Sequence, residues 1–225
     1  MSHENIFAGL SKEELLVRLK EVAQDAPQHQ LEHIDGVNVT MQFLRDEAGQ
    51  VKYVPRKKIM GYDLDGVVFS IKKAIELTNV KCGTDIDIHT MSAMDYEIVY
   101  YATMDDELQR KIIRESAPNM KMVEDLAEEH LSGSEIVLIT ARHVDYASET
   151  IRVLNKYGIY YDKIYFTENK IPLIVGLGID WFYDDKAETI AKIIDSSART
   201  KAVLVSAPYN REAKKYDYRY KVGLE

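Results

Sequence analysis

From Lys58 onward the sequence alternates short apolar runs with helix-like segments, and this alternation constrains the fold more than any other feature. The runs are Ile59 to Tyr62, Glu135 to Thr140, Lys163 to Thr167, Ile179 to Tyr183 and Lys201 to Ala207. Each has strand length and is rich in β-branched or aromatic residues. Ser70 to Asn79, Ser148 to Lys156 and Lys186 to Asp195 read as helices. Strands joined through helices need crossover connections, so the expected class is α/β, a parallel sheet covered on both faces.

Two regions depart from the alternation. Val80 to Met120 has no clear strand; helical stretches around Ala93 to Thr103 and Asp105 to Ser116 mark it as a small helical cap, an insertion over about residues 81–118. Residues 1–57 form an N-terminal extension. There Ser11 and Glu14 have capping-box spacing, and Leu15, Leu16 and Leu19 make an apolar stripe for a helix from Ser11 to Val22. Val37 to Leu44 and Gln50 to Val54 read as a hairpin around Asp46 to Gly49. The extension carries no recognisable chemistry. Residues 58–225 are the main domain.

Ligands of open parallel sheets bind beyond the carboxyl ends of the strands, so the residues that follow each run matter most. The first run leads into Asp63-Leu64-Asp65-Gly66. The second ends in Thr140 and is followed by Ala141 and Arg142. Lys170 follows the third, and Asp184-Asp185 the fourth. Four carboxylates brought to one edge repel one another unless a cation sits among them. An all-oxygen donor set suits Mg²⁺. With the repulsion screened by the metal and by Lys170, Asp63 can attack a phosphate and form an aspartyl-phosphate. Asp65 would protonate the leaving alcohol and then activate water. Gly66 allows a tight turn beside the phosphate. Arg142 reads equally as a phosphate contact or as a surface residue.

Asp63-Leu64-Asp65-Gly66-Val67 resembles the first motif of the haloacid dehalogenase-like superfamily, Thr140 the second, Lys170 the third and Asp184-Asp185 the acidic fourth. The resemblance runs from about Lys58 to the C-terminus. It implies a Rossmann-like sheet, and Mg²⁺ held by Asp63, the Asp65 backbone carbonyl and Asp184, with Asp185 in support. It assigns catalysis to Asp63, Asp65, Thr140 and Lys170, and substrate binding to Thr140, Ala141, Arg142 and Lys170. Thr140-Ala141-Arg142 and Ala207-Pro208-Tyr209-Asn210-Arg211, with Arg219, resemble the 5′-nucleotidase and deoxyribonucleotidase branch. That branch implies a nucleoside 5′-monophosphate as substrate. Alternatives are another small monoester such as a sugar phosphate, a nucleic-acid end, or, last, a non-catalytic binding module. Tyr96 and Tyr100 would share one face of a cap helix, either stacking on a base or packing the cap onto the sheet. Arg211 would bind substrate or pin the C-terminal tail.

The bulk properties fit a small-molecule enzyme. The net charge of −8 disfavours a general nucleic-acid binder. No stretch has membrane-crossing length. The single cysteine, Cys82, permits no internal disulfide and fits a reducing compartment, so a cytoplasmic location is expected.

Overall fold

The computed structural model describes residues 10–24, 56–196, 199–213 and 218–221. The expected hairpin between Val37 and Val54 lies outside the described residues. Strand β1, Ile59–Tyr62, is too short to stand alone and survives because it is central. On one side it pairs in parallel with β2, Glu135–Thr140, with Ile59 opposite Glu135. On the other it pairs with β4, Trp181–Asp184, with Met60 opposite Trp181. Gly61 permits this, because a Cβ there would run into Phe182 and Ile179.

Outward from this centre run β3, Lys163–Phe166, beside β2, and β5, Lys201–Ser206, then β6, Tyr218–Lys221, beside β4. The order is β3-β2-β1-β4-β5-β6 and every pairing is parallel. The order reverses direction at β1, the point where open α/β sheets gather ligands. The expected five strands are present, and β6 adds a sixth.

Helices cover both faces. α5, Met120–Leu131, and α6, Ala147–Lys156, bury Met122, Leu126, Val153 and Leu154 against Met60, Tyr62 and Leu138. α7, Lys170–Gly176, and α8, Ala187–Ser196, bury Ile174, Ile190 and Ile193 against Ile139, Phe182 and Leu204. Neither α5 nor α7 was expected from the sequence.

A third apolar cluster forms the cap. α2, Lys72–Cys82, α3, Ala93–Ala102, and α4, Asp106–Glu115, contribute Ile75, Ile98, Val99 and Ile112. Their ends are set by sequence. Ser92 and Asp95 make a reciprocal capping box, Asp105 caps α4, and Gly83 closes α2 at φ +68°. The strands leading into and out of the cap lie side by side: Ser70 N donates to Ala117 O at 3.0 Å, and Asn119 N to Val68 O at 2.8 Å.

α1, Lys12–Gln24, belongs to this cluster. Leu15 and Leu19 are buried in it, and Lys12 and Lys20 pair with Asp95 and Glu97 of α3 at 2.7 and 2.8 Å. The helix expected in an accessory extension is therefore packed as a fourth helix of the cap. The residues just before β1 are tied to the sheet domain: Arg56 pairs with Asp180, and Lys58 with Glu129 at 2.8 Å. Among the described residues no helix is long and apolar enough to cross a membrane.

Candidate active site

The carboxyl ends of β1 and β4 lie side by side, fixed by Asp63 N donating to Tyr183 O at 2.9 Å. This register sets Asp63 and Asp184 beside each other, both buried. Lys170, the first residue of α7, reaches between them. Its ammonium is 2.8 Å from Asp63 Oδ2 and 2.8 Å from Asp184 Oδ2. Asp63 Oδ1 accepts from Leu64 N at 2.7 Å, and Asp184 Oδ1 from Lys186 N at 2.7 Å. Lys163, by contrast, pairs with Glu135 at the opposite end of the strands, as its place before β3 predicts.

Asp185 completes the floor. Asp63, Asp184 and Asp185 each offer one oxygen within 4.8 Å of the others. Asp185 is 1% exposed, yet its Oδ1 is buried with no hydrogen-bond partner among the described residues. A buried carboxylate oxygen left unpaired beside two other carboxylates is costly, and a cation supplies the missing partner. An all-carboxylate set with one orphaned oxygen fits Mg²⁺.

The electrostatics agree. Burial pushes Asp63 up to about 6; Lys170 pulls the other way, while the Asp184 and Asp65 charges add to the rise. Burial, then Asp184 and Asp63, push Asp185 up to about 8, against a downward pull from Tyr209 and Lys186. Burial works to lower Lys170, but Asp184 and Asp63 outweigh it and hold the ammonium charged. Crowding of buried carboxylates thus raises the proton affinity of Asp63 and Asp185, an effect that a divalent ion would oppose.

Gly66 has φ +81°, and a Cβ on it would collide with the Asp185 carboxylate. Its role is to admit Asp185 as well as to turn the chain.

Arg142 is 4% exposed, so it is not a surface residue. Its Nε and Nη2 donate to the two oxygens of Asp65 at 2.9 and 2.6 Å. From behind, Nη1 meets the buried hydroxyl of Thr150 at 3.2 Å. Burial tends to raise Asp65, but the Arg142 charge and fork outweigh it and hold the carboxyl below its ordinary value. Asp65 as placed is therefore an ionised base; to donate a proton it must loosen from Arg142. Thr140 is fully buried, and its hydroxyl accepts from Arg142 N at 3.2 Å while keeping its own proton to donate. Ala141 lies partly exposed between them.

Near the floor, Lys186 and Thr150 had no role in the sequence reading, and Tyr209 stood there only as part of the stretch Ala207 to Arg211. Lys186 directs its ammonium over the Tyr100 ring at 4.5 Å and makes no ion pair among the described residues. Asp185 and Asp63 raise its pKa against the effect of burial. Thr150 braces Arg142. Tyr209 donates to Asp185 Oδ2 and stacks on Tyr96 at 4.2 Å. Both cap tyrosines thus pack against the sheet domain, Tyr96 on Tyr209 and Tyr100 on Lys186. Arg211 Nη2 approaches His89 O at 3.4 Å, tying the segment after β5 to the cap. The side chain of Arg219 lies outside the described residues.

No protein-family model and no curated sequence matches the chain. Solved structures do. A protein described as a predicted phosphoglycolate phosphatase, from Haemophilus somnus 129PT, superposes with a TM-score of 0.52 at 13% identity, over 72% of this chain and 93% of its own. A haloacid dehalogenase-like hydrolase from Bacteroides fragilis gives 0.52 at 13% identity, over 75% and 98%. The fold is that of the haloacid dehalogenase-like hydrolases. A third such hydrolase, from Deinococcus radiodurans R1 and solved with bound phosphate and sodium, gives 0.50 at 12% identity, over 73% and 91%.

Proposed function

We propose that this haloacid dehalogenase-like chain is a Mg²⁺-dependent phosphohydrolase that cleaves small phosphate monoesters, with Asp63 as the nucleophile. The observation that carries the reading is the buried floor in which one ammonium, that of Lys170, bridges Asp63 and Asp184 at 2.8 Å each beside the orphaned oxygen of Asp185. Asp63, Asp184 and Asp185 would hold the cation, with the Asp65 backbone carbonyl as a further donor. When bound, Mg²⁺ screens the carboxylates from an incoming phosphate and polarises its oxygens.

Lys170 orients Asp63, one oxygen of which attacks phosphorus and takes the phosphoryl group as an aspartyl-phosphate. Thr140 donates its hydroxyl proton to a phosphate oxygen. Lys186, half-buried under Tyr100 and near Asp63, supplies a second positive charge. Asp65, loosened from Arg142 and protonated from solvent, gives that proton to the leaving alcohol as the ester P–O bond breaks; as a carboxylate it then takes the proton of the water that attacks phosphorus, which releases inorganic phosphate and frees Asp63. Between turnovers the Arg142 fork holds the Asp65 carboxylate, whose surplus proton passes to solvent.

For the leaving group, a nucleoside 5′-monophosphate is the first candidate, on the resemblance of residues 140–142 and 207–211 to the nucleotidase branch. A sugar phosphate is the second. It is favoured by one observation: Tyr209 already covers one face of Tyr96, so the cap presents less aromatic surface for a base. A panel of nucleoside monophosphates and sugar phosphates, assayed for phosphate release with Mg²⁺, tests both. Release from neither class would overturn the proposal.

A further inference from the structure

Tyr209 occupies a single 3₁₀ turn, Pro208–Asn210, after β5. Its phenol donates to Asp185 Oδ2. The main chain of Asp185 is fixed separately, since Asn210 Nδ2 donates to Asp185 O at 2.7 Å and to Val205 O at 2.8 Å. Asn210 Oδ1 accepts from Ala207 N at 3.0 Å, which closes the turn. Gly66 bounds the carboxylate on another side. With Oδ2 held by the phenol and the backbone pinned, the rotation of the carboxylate is restricted; Oδ1 is buried with no hydrogen-bond partner among the described residues, and the carboxylate offers one oxygen within 4.8 Å of one each from Asp63 and Asp184. Outer hydrogen bonds of this kind orient metal ligands.

The opposite side of Tyr209 belongs to the cap. Its ring lies 4.2 Å from that of Tyr96, inclined by 23°. Tyr96 sits on α3, and the neighbouring Arg211 reaches His89 O of the same cap. The seat of the cap and the aim of Asp185 therefore share one side chain.

We infer that Tyr209 is a positioning residue that couples cap seating to the cation site, its hydroxyl fixing the Asp185 carboxylate while its ring carries Tyr96. The inference rests on the reading of Asp185 as a cation ligand. By reciprocity, a cation that draws Asp185 into place also favours the seated cap.

The test is Mn²⁺ titration of the metal-free protein, followed by the loss of the free-ion electron paramagnetic resonance signal, on wild type, Tyr209→Phe, Tyr96→Ala and Asp185→Asn. Tyr209→Phe keeps the ring and removes the hydroxyl; Mn²⁺ affinity should fall about tenfold to a hundredfold. Tyr96→Ala keeps the hydroxyl and removes the stack; affinity should fall about twofold to tenfold. Wild-type affinity in either variant overturns the coupling. Asp185→Asn separates the two ideas. Should it bind Mn²⁺ like wild type, the cation reading itself fails. Should it lose Mn²⁺ while both tyrosine variants bind normally, only the coupling fails. If Tyr209→Phe does not fold, Tyr96→Ala alone decides.

Discussion

The floor of the site and its roof are built on different principles. The floor hangs on strand ends: Asp63 and Asp184 are set by the register of β1 and β4, and Lys170 by the start of α7. Backbone hydrogen bonds fix these positions, and the side chains meet as charges. The roof is a bundle of four helices with its own apolar cluster, seated on the sheet domain through side chains, Tyr96 on Tyr209 and Tyr100 over Lys186. The proposed chemistry is thus placed on backbone-fixed strand ends, while the cap rests on side-chain contacts that single substitutions can alter.

The floor should break first and hardest. Asp63→Asn removes the attacking anion and one cation donor at nearly constant shape. Turnover should fall by at least about 10³-fold, the scale seen for lost nucleophiles, with the circular dichroism spectrum unchanged. Chelation by EDTA should abolish activity and Mg²⁺ restore it. Ca²⁺, larger and looser in coordination, should bind yet support turnover poorly; equal rates with Ca²⁺ would separate the floor from catalysis.

The roof should fail as a matter of stability. Leu15→Ala empties a fully buried position in the cap cluster and should cost about 2–5 kcal/mol in urea unfolding. Deleting residues 1–57 should act in the same direction, because it uncovers Ile98 and Val99. A truncated protein with wild-type stability would show that α1 is not part of the cap.

Between floor and roof stands the Arg142 fork. Arg142→Lys keeps the charge and loses the two-pronged grip on Asp65, so kcat should fall about tenfold to a hundredfold with KM little changed. A rise in KM alone would instead make Arg142 a phosphate contact. The smallest effect belongs to Tyr100→Ala. It should raise KM about twofold to tenfold for nucleotides, the worth of one ring contact, and leave a generic aryl phosphate nearly unaffected. An equal loss for every substrate would reduce Tyr100 to packing.

The same contrast decides what was legible in the sequence. Asp63, Asp65, Thr140, Lys170, Asp184 and Asp185 could be found because each follows a strand-length run, and strand ends converge by topology alone. The partner of Arg142 could not, because Asp65 lies 77 residues away and only the packed fold brings them together. Tyr209 lies inside a noticed stretch and Lys186 beside a noticed motif, yet their roles depend on which cap residue lies above them. α1 showed its stripe of Leu15, Leu16 and Leu19 plainly, but an amphipathic stripe does not say which core it joins. β6, with only the four residues Tyr218–Lys221, carries too little apolar pattern to stand out from a loop.

The central claim, that Asp63 carries the phosphoryl group, is tested most directly by trapping it. Protein turning over a hydrolysable monoester with Mg²⁺ is quenched and treated with borohydride, which reduces an acyl phosphate to the alcohol. Peptide mass spectrometry should then find homoserine at position 63, only when substrate and Mg²⁺ are both present. Steady turnover with Asp63 unmodified, or with the label on another residue, would contradict the account.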